Sequence, residues 1–206
     1  SDKVGVIYAT STGGVGFARS TDGGVTFTNP LVSPASSADT GAAFPAVANA
    51  GGGKLVAVWL EVFARSSRVM FASSGNWGAT WSRPKALVTS GTSVYPWVAA
   101  KGGKVSVSLY HTTAAGTPDT VPASAAWYEQ YMESTNGGST FSAPINADAT
   151  AVKKGPVCTS GINCTGDREL GDFQQVAIDA AGRANLSYVR SINNAANTEV
   201  RFVRQT

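Results

Sequence analysis

The sequence is short of charge and nearly empty of the residue types on which most metal and cofactor sites depend. Asp, Glu, Lys and Arg make up 14% of its 206 residues, and it has one histidine, His111, and two cysteines. So low a charged fraction suits short strands and tight turns better than long salt-bridged helices. The net charge of +3 comes from scattered residues with no basic run, so nucleic acid is not an expected partner. No stretch approaches the ~18 consecutive apolar residues of a membrane span. Residues 1 to 10 lack the cationic-then-apolar pattern of a signal peptide, so a secreted chain would already be processed. P-loop, dinucleotide, H-E-x-x-H and G-x-S-x-G signatures are all missing, and neither a cofactor nor a metal is expected. The cysteines sit in "CTSGINC" without the second Cys pair or nearby His of a four-ligand zinc site. A Cys158–Cys164 disulfide is therefore expected in preference to free thiols, and with it a secreted, cell-surface or periplasmic location.

What the chain has in plenty is Gly, Ala, Ser and Thr, arranged in a repeat. Ser20-Thr-Asp22-Gly-Gly24-Val-Thr26-Phe27 returns as Ser74-Gly-Asn76-Trp-Gly78-Ala-Thr80-Trp81 and as Ser134-Thr-Asn136-Gly-Gly138-Ser-Thr140-Phe141, at intervals of 54 and 60 residues. A proline follows each aromatic, at Pro30, Pro84 and Pro144. A second pattern interleaves: "FPAVA" from Phe44, "YPWVA" from Tyr95 and "FQQVA" from Phe173, each with another aromatic fifteen residues later, at Trp59, Tyr110 and Tyr188. Between them "NAGGGK", "AKGGK" and "DAAGR" read as hairpin turns. Each unit thus holds four strands, A to D, with the Ser-x-Asp/Asn motif turning C into D. Such a unit repeated every 50 to 60 residues is the sequence form of a β-propeller blade.

The motif resembles the Asp box, or BNR repeat, S-x-D-x-G-x-T-W, of sialidases and related propellers. The resemblance spans nearly the whole chain and implies an all-β fold of four-stranded blades, approximately residues 1–35, 42–90, 93–148 and 170–206, within one segment, 1–206. In that family the box is a structural turn remote from the active site, and the chemistry agrees. A short Asx or hydroxyl side chain caps backbone N–H groups, Gly permits positive φ, and the aromatic packs between sheets. Asn in the second and third copies keeps the acceptor without the charge, which a turn tolerates and a cation site resists.

Alternating strand direction places A–B and C–D turns on one face and B–C and D–A connections on the other. The second face collects the long loops: 33 to 43, 61 to 67, 88 to 94, 111 to 125, 147 to 172 and 190 to 198. With them come Glu61, Arg65, Arg68, His111, Asp119, Lys153, Lys154, Asp167, Arg168, Glu169, Asp172 and Arg190. The densest cluster, "CTGDRELGDF" (164 to 173), enters the innermost strand of the last blade, so a sugar or small polar ligand could meet Arg168, Glu169 and Asp172, with His111 and Arg65 nearby and Asp167 as acid or base. The alternative is an ion-paired loop pinned by the disulfide. In "WYEQYME", Glu129 and Tyr131 share a strand face opposite to that of Tyr128. Resemblance to sialidases, which use a Tyr activated by Glu as nucleophile, an Asp as acid and base, and three arginines on the substrate carboxylate, makes them candidate catalytic residues beside Asp167 and Arg168. A half-buried structural pair is the competing reading. The family's F/Y-R-I-P segment is absent, so no catalytic residue transfers by motif. "NCT" at Asn163 and "NLS" at Asn185 are glycosylation sequons in form.

The strand count is BCD, ABCD, ABCD, ABC, so the first and last blades are incomplete, as part of a larger, six- or seven-bladed propeller would be. The strands at 4–10 and 198–204 are expected to lack in-chain neighbours, and open edges invite association. A second polypeptide, an N-terminal fragment of the same precursor or a homodimer mate, is expected to complete them. Function is expected to be recognition or hydrolysis of glycans by the long-loop face, or a non-catalytic binding or structural module.

Overall fold

A computed structural model describes residues 2–172, 174–192 and 197–206. Phe173, which opens the third "aromatic-x-x-Val-Ala" copy, and positions 193–196 of the expected 190 to 198 loop lie outside the described residues. The described chain forms antiparallel sheets in sequence order. β1 (Val4–Ala9), β2 (Val15–Ser20) and β3 (Leu31–Ser33) make the first, and β4 (Ala46–Gly51), β5 (Lys54–Phe63), β6 (Ser66–Ser74) and β7 (Lys85–Val88) the second. The third holds β8 (Thr92–Lys101), β9 (Lys104–Thr112), β10 (Ala126–Ser134) and β11 (Ile145–Asn146), with β12 (Lys153–Lys154) added to β10. The fourth is β13 (Gln175–Ile178), β14 (Ala184–Ile192) and β15 (Asn197–Arg204). β1 pairs only with β2, and β15 only with β14, among the described residues.

Stacking follows from the period-2 pattern of strands buried on both faces. In β5, Leu55, Ala57 and Trp59 join Val15 and Phe17 of the first sheet in one core, while Val56, Val58 and Leu60 join Val105, Val107 and Leu109 of the third in another. Among the described residues no helix is long and apolar enough to cross a membrane.

The three box turns share one hydrogen-bond scheme. Ser20, Ser74 and Ser134 each accept at Oγ from the glycine N–H four residues on, at 2.9 Å, and donate to Oδ1 of Asp22, Asn76 or Asn136. That Oδ1 accepts the N–H of Thr26, Thr80 or Thr140 at 2.9–3.0 Å. The Asp-to-Asn change reverses one bond: Thr26 Oγ1 donates to Asp22 Oδ2, whereas Asn76 and Asn136 Nδ2 donate to Thr80 and Thr140 Oγ1. The fourth box residue adopts left-handed backbone in each copy, with φ of 79° at Gly23, 58° at Trp77 and 70° at Gly137. Its N–H donates to the A–B turn of the same sheet: Trp77 to Gly53 O, Gly137 to Gly103 O and Gly23 to Asp2 O. Asp2 thus stands where the other sheets have their A–B turn glycine.

Hydrogen bonds from Ser20, Thr26 and the backbone hold the Asp22 carboxyl well below the usual carboxylate range. A depressed folded pKa means that this turn's contribution is present above the unfolded value, about 3.9, and lost as pH falls below it. Asp22→Asn, which installs the residue of the other two boxes, should therefore lose less stability than wild type between pH 5 and pH 2.5 in urea unfolding. Equal losses would remove the carboxylate from the account of this turn.

The structure corrects several loop boundaries. The expected loop at 61 to 67 is a tight turn, because β5 runs to Phe63 and β6 starts at Ser66. The 88 to 94 and 111 to 125 loops are shortened by β8 from Thr92 and β9 to Thr112. The 147 to 172 loop is not wholly irregular. It contains β12, paired through Trp127↔Lys153, and a 3-10 turn, Gly161–Asn163.

Candidate functional site

Strands of the third sheet run between two unlike ends. β8 finishes at Lys101 beside the A–B turn and the third box, while Tyr95 lies near its other end, among the long loops. There a bulge interrupts the β8–β9 register between Val94 and Trp97. Tyr95 sits in the bulge with φ 51°, a conformation that costs a non-glycine residue roughly 1–3 kcal/mol and persists only when its surroundings impose it. They do so here: the buried Gln174 side chain donates from Nε2 to the Tyr95 carbonyl.

Tyr95 forms one wall of a cavity of about 350 Å³ that also takes in Gly41–Phe44, the disulfide loop at Cys158–Gly161, Arg168 and Asp172. The loop is fixed from three sides. Cys158 and Cys164 are bridged. Asp119 accepts from Thr159 N at 3.0 Å and Thr159 Oγ1 at 2.8 Å, and Val157 N donates to Pro118 O. Lys153, its side chain buried, forms ion pairs with Glu169 at 2.6 Å and Asp167 at 3.5 Å. These contacts engage the acids on both sides of Arg168 and leave the exposed Arg168 on the cavity wall.

Burial, followed by the charge and hydrogen bond of Asp172, raises the Tyr95 hydroxyl above the usual tyrosine range, with Arg168 opposing. The phenol therefore stays protonated and is a donor. Its hydroxyl reaches the Cys158 carbonyl at 3.3 Å. A guanidinium, a phenol donor, a carboxylate and an aromatic ring at Phe44 thus border one recess, an arrangement able to hold a hydroxyl-rich or anionic ligand.

The other expected site residues stand elsewhere. Glu129 and Tyr131 do share a face of β10, but neither lines this cavity. Tyr131 occupies the register position of Phe17 and Phe71, three residues before a box serine. Its hydroxyl donates to Glu133 at 2.6 Å and contacts Ser106 at 3.1 Å, at the box end of the sheet. Burial, then the bond to Glu133, raises its pKa, the reverse of an activated nucleophile. Glu129 is fully buried opposite Tyr110, in the position of Val15 and Val69, with the Ser108 hydroxyl facing its carboxyl group. Burial raises its pKa well above the usual carboxylate value and so favours the protonated form. The expected grouping of Glu129 and Tyr131 with Asp167 and Arg168 is not formed at the cavity, because the Tyr131 hydroxyl is turned to the box end of the strand and Glu129 is buried in the core.

His111 is buried, with Nδ1 3.0 Å from Ser93 Oγ, and burial lowers its pKa. It lies within the wall of β8 and β9 and outside the cavity. Arg65 is exposed at the β5–β6 turn, also outside the cavity lining. Among the described residues no three His, Cys, Asp or Glu side chains are placed to hold a metal ion. Tyr95 is the residue that sequence reasoning missed. Its signal is present in "YPWVA", where tyrosine replaces the phenylalanine of the other two copies and precedes a proline that donates no ladder bond.

No protein-family model matches the sequence, and no curated protein matches it. Solved structures do match the fold. The NanB sialidase of Streptococcus pneumoniae aligns over 99% of this chain and 29% of its own, with 12% identity and a TM-score of 0.53. An ulvan lyase, a polysaccharide lyase bound to a GlcA(1-4)Rha3S ligand, aligns over 97% of this chain and 48% of its own, with 14% identity and a TM-score of 0.57. The α-L-arabinofuranosidase of Fusarium graminearum, with an iminosugar inhibitor, aligns over 93% and 53%, with 12% identity and a TM-score of 0.53. The four sheets match part of a sialidase-type fold, and the chain spans between about a third and a half of the length of these neighbours.

Proposed function

We propose that this chain is part of an extracytoplasmic, sialidase-like propeller of six or seven blades that recognises glycans through the long-loop face. The observation that carries the reading is the placement of Arg168 on the cavity wall beside Asp172 and Tyr95, while its acidic neighbours are engaged by Lys153. Arg168 binds a carboxylate or sulfate of the sugar, Asp172 and the Tyr95 hydroxyl bind ring hydroxyls, and Phe44 lies against the apolar face of a ring. A protein ligand presenting the same anionic groups would use the same residues. The neighbours act on or hold carbohydrates, which supports the class of ligand without selecting its member.

Glycoside hydrolysis is a second reading, favoured by the Asp172 carboxylate on the cavity wall as acid or base, with the protonated Tyr95 hydroxyl beside it as a donor only. A second polypeptide, either an N-terminal fragment of the same precursor or a second copy, closes the propeller and would supply any remaining catalytic groups. Titration calorimetry against sialylated, uronic-acid and neutral oligosaccharides tests recognition. Arg168→Ala should weaken binding of the anionic members by about 1.5–3 kcal/mol, roughly ten- to a hundredfold in Kd. Unchanged affinity in this variant would overturn the assignment. Turnover of a fluorogenic glycoside that disappears in Asp172→Asn with binding retained would establish the hydrolytic reading, and binding without turnover would exclude it for the panel.

A further inference from the structure

Gly41 borders two recesses. On one side lies the cavity of Tyr95, Arg168 and Asp172, and on the other a wider recess of about 690 Å³, walled by the β1–β2 turn at residues 10–13 and by residues 36–40. Residues 36–44 thus form a ridge between them, and at Gly41, where the ridge meets both, it carries no side chain.

The ridge is tied on both flanks. Towards the first sheet, Ser36 donates from N and Oγ to the carbonyls of Thr12 and Gly13 at 3.3 and 3.0 Å, and Thr40 Oγ1 donates to Gly14 O at 2.9 Å. Gly13 permits this approach, because a Cβ there would collide with the carbonyl oxygens of Ser36 and Ala38. Towards the second sheet, Asp39 exchanges both backbone bonds with Val62 of β5, at 2.8 and 2.9 Å. The wider recess therefore lies where the ridge joins the first two sheets. It is formed before a ligand arrives, so filling it costs little ordering of the protein.

The chemistry differs across the ridge. The hydroxyls of Thr10, Ser36 and Thr40 are engaged in holding the turn and the ridge, whereas Ser11, Ser37 and Asp39 line the wider recess as exposed residues. Asp39 Oδ1 accepts from Gly41 N at 2.7 Å and from Ala42 N at 3.1 Å, which fixes the carboxylate, and Oδ2 accepts no hydrogen bond among the described residues. Among those residues neither Lys nor Arg lines this recess. A fixed carboxylate beside hydroxyls accepts from sugar hydroxyls and repels an anion. The cavity on the other side offers Arg168 and favours one.

We propose that the wider recess is a second sugar subsite, continuous with the first over Gly41. Its ligand is an oligosaccharide that places an acidic unit at Arg168 and a neutral, hydroxyl-rich unit at Ser11, Ser37 and Asp39. This rests on the reading of the cavity as a glycan site, and adds the length and the order of charge in the ligand. A single acidic sugar uses half of the site.

Chemical-shift titration of the isotope-labelled 206-residue chain tests this with N-acetylneuraminic acid against sialyllactose, with glucuronic acid against the same acid carried on a neutral xylose chain, and with galacturonic acid against trigalacturonate. Single acidic sugars should shift amides at 41–44 and 168–172. At least one of the two mixed oligosaccharides should also shift 10–13 and 36–40, and should bind about tenfold or more tightly than its own acidic sugar, as one charge-assisted hydrogen bond gives. Trigalacturonate should gain nothing over galacturonic acid. Asp39→Asn keeps the Oδ1 acceptor of the turn while losing the charge, so it should abolish the gain and leave both the thermal transition and the affinity for single acidic sugars unchanged. Mixed oligosaccharides that match their acidic sugars in shifts and affinity, a gain that survives Asp39→Asn, or an equal gain for trigalacturonate would each overturn the subsite while leaving the cavity as a glycan site. No shift at either recess with any probe, or binding indifferent to Arg168→Ala, would overturn the glycan reading and the subsite with it. The wild-type shift map reads the subsite independently of any variant.

Discussion

Gly138→Ala is expected to destabilise the protein by about 2–5 kcal/mol, the sum of left-handed backbone strain and overpacking at a closed seat. Gly138 has φ 90°, and its Cβ would fall 2.2 Å from the tip of the Phe71 ring. That ring has no simple retreat, since Phe141 packs on it edge-on and Lys85 Nζ lies 5.4 Å from its centroid while donating to the carbonyls of Gly138 and Ser139. The adjacent Gly137 provides the control. It has φ 70° with nothing within 4 Å of a new Cβ, so Gly137→Ala adds strain alone, about 1–2 kcal/mol. Urea unfolding of the two variants separates the effects. Equal losses would mean that the third box does not seat the second sheet through this glycine.

Lys153→Ala should cost about 3–5 kcal/mol, the range for removing one partner of a buried ion pair and leaving its charge behind. The Lys153 side chain is 1% exposed, and the Glu169 side chain, 2.6 Å away, is 13% exposed. Removing the ammonium leaves two carboxylates, Glu169 and Asp167, at the root of the disulfide loop without the cation that holds them together. Relief comes by moving residues 167–169 towards water, and that movement displaces Arg168 from the cavity wall. The expected result is therefore double: a lower unfolding free energy, and faster amide exchange confined first to residues 157–172. A loss of stability without a local increase in exchange would assign Lys153 to the general core and remove it from the support of the cavity.

The parts of this fold legible from sequence are those that repeat. The box serine, the Asx and the glycine recur because each closes the same turn, and the aromatic that follows recurs because it fills the same gap between sheets, so aligning three copies amounted to reading three equivalent contacts. Asp2 accepts at the position of Gly53 and Gly103, so the same turn contact recurs in the first sheet. Repetition also marks core positions. Tyr131 falls in the column of Phe17 and Phe71, and Glu129 in that of Val15 and Val69, so both were readable as core positions. Their side-chain chemistry alone leaves the catalytic pair and the half-buried structural pair both open.

What sequence could not give is whatever depends on the irregular loops. Nothing local marks Lys153 as buried, since its burial comes from a two-residue strand laid on β10 and from acids 14 and 16 residues away. The left-handed Tyr95 follows from a bulge fixed by Gln174, a contact across 79 residues. The division of "DREL" into two scaffold acids and one exposed arginine is likewise tertiary, because the same four residues could equally have formed a solvated charged loop.

The most direct test of the account is hydrogen–deuterium exchange of the chain with and without a saturating sialylated or uronic-acid oligosaccharide drawn from the calorimetric panel. The account predicts new protection in the segments that border the cavity, residues 41–44, 94–97, 158–161 and 168–172, with the box turns at 20–27, 74–81 and 134–141 unchanged. Protection centred on the box turns, or no protection with any member of the panel, would contradict a glycan site on the long-loop face.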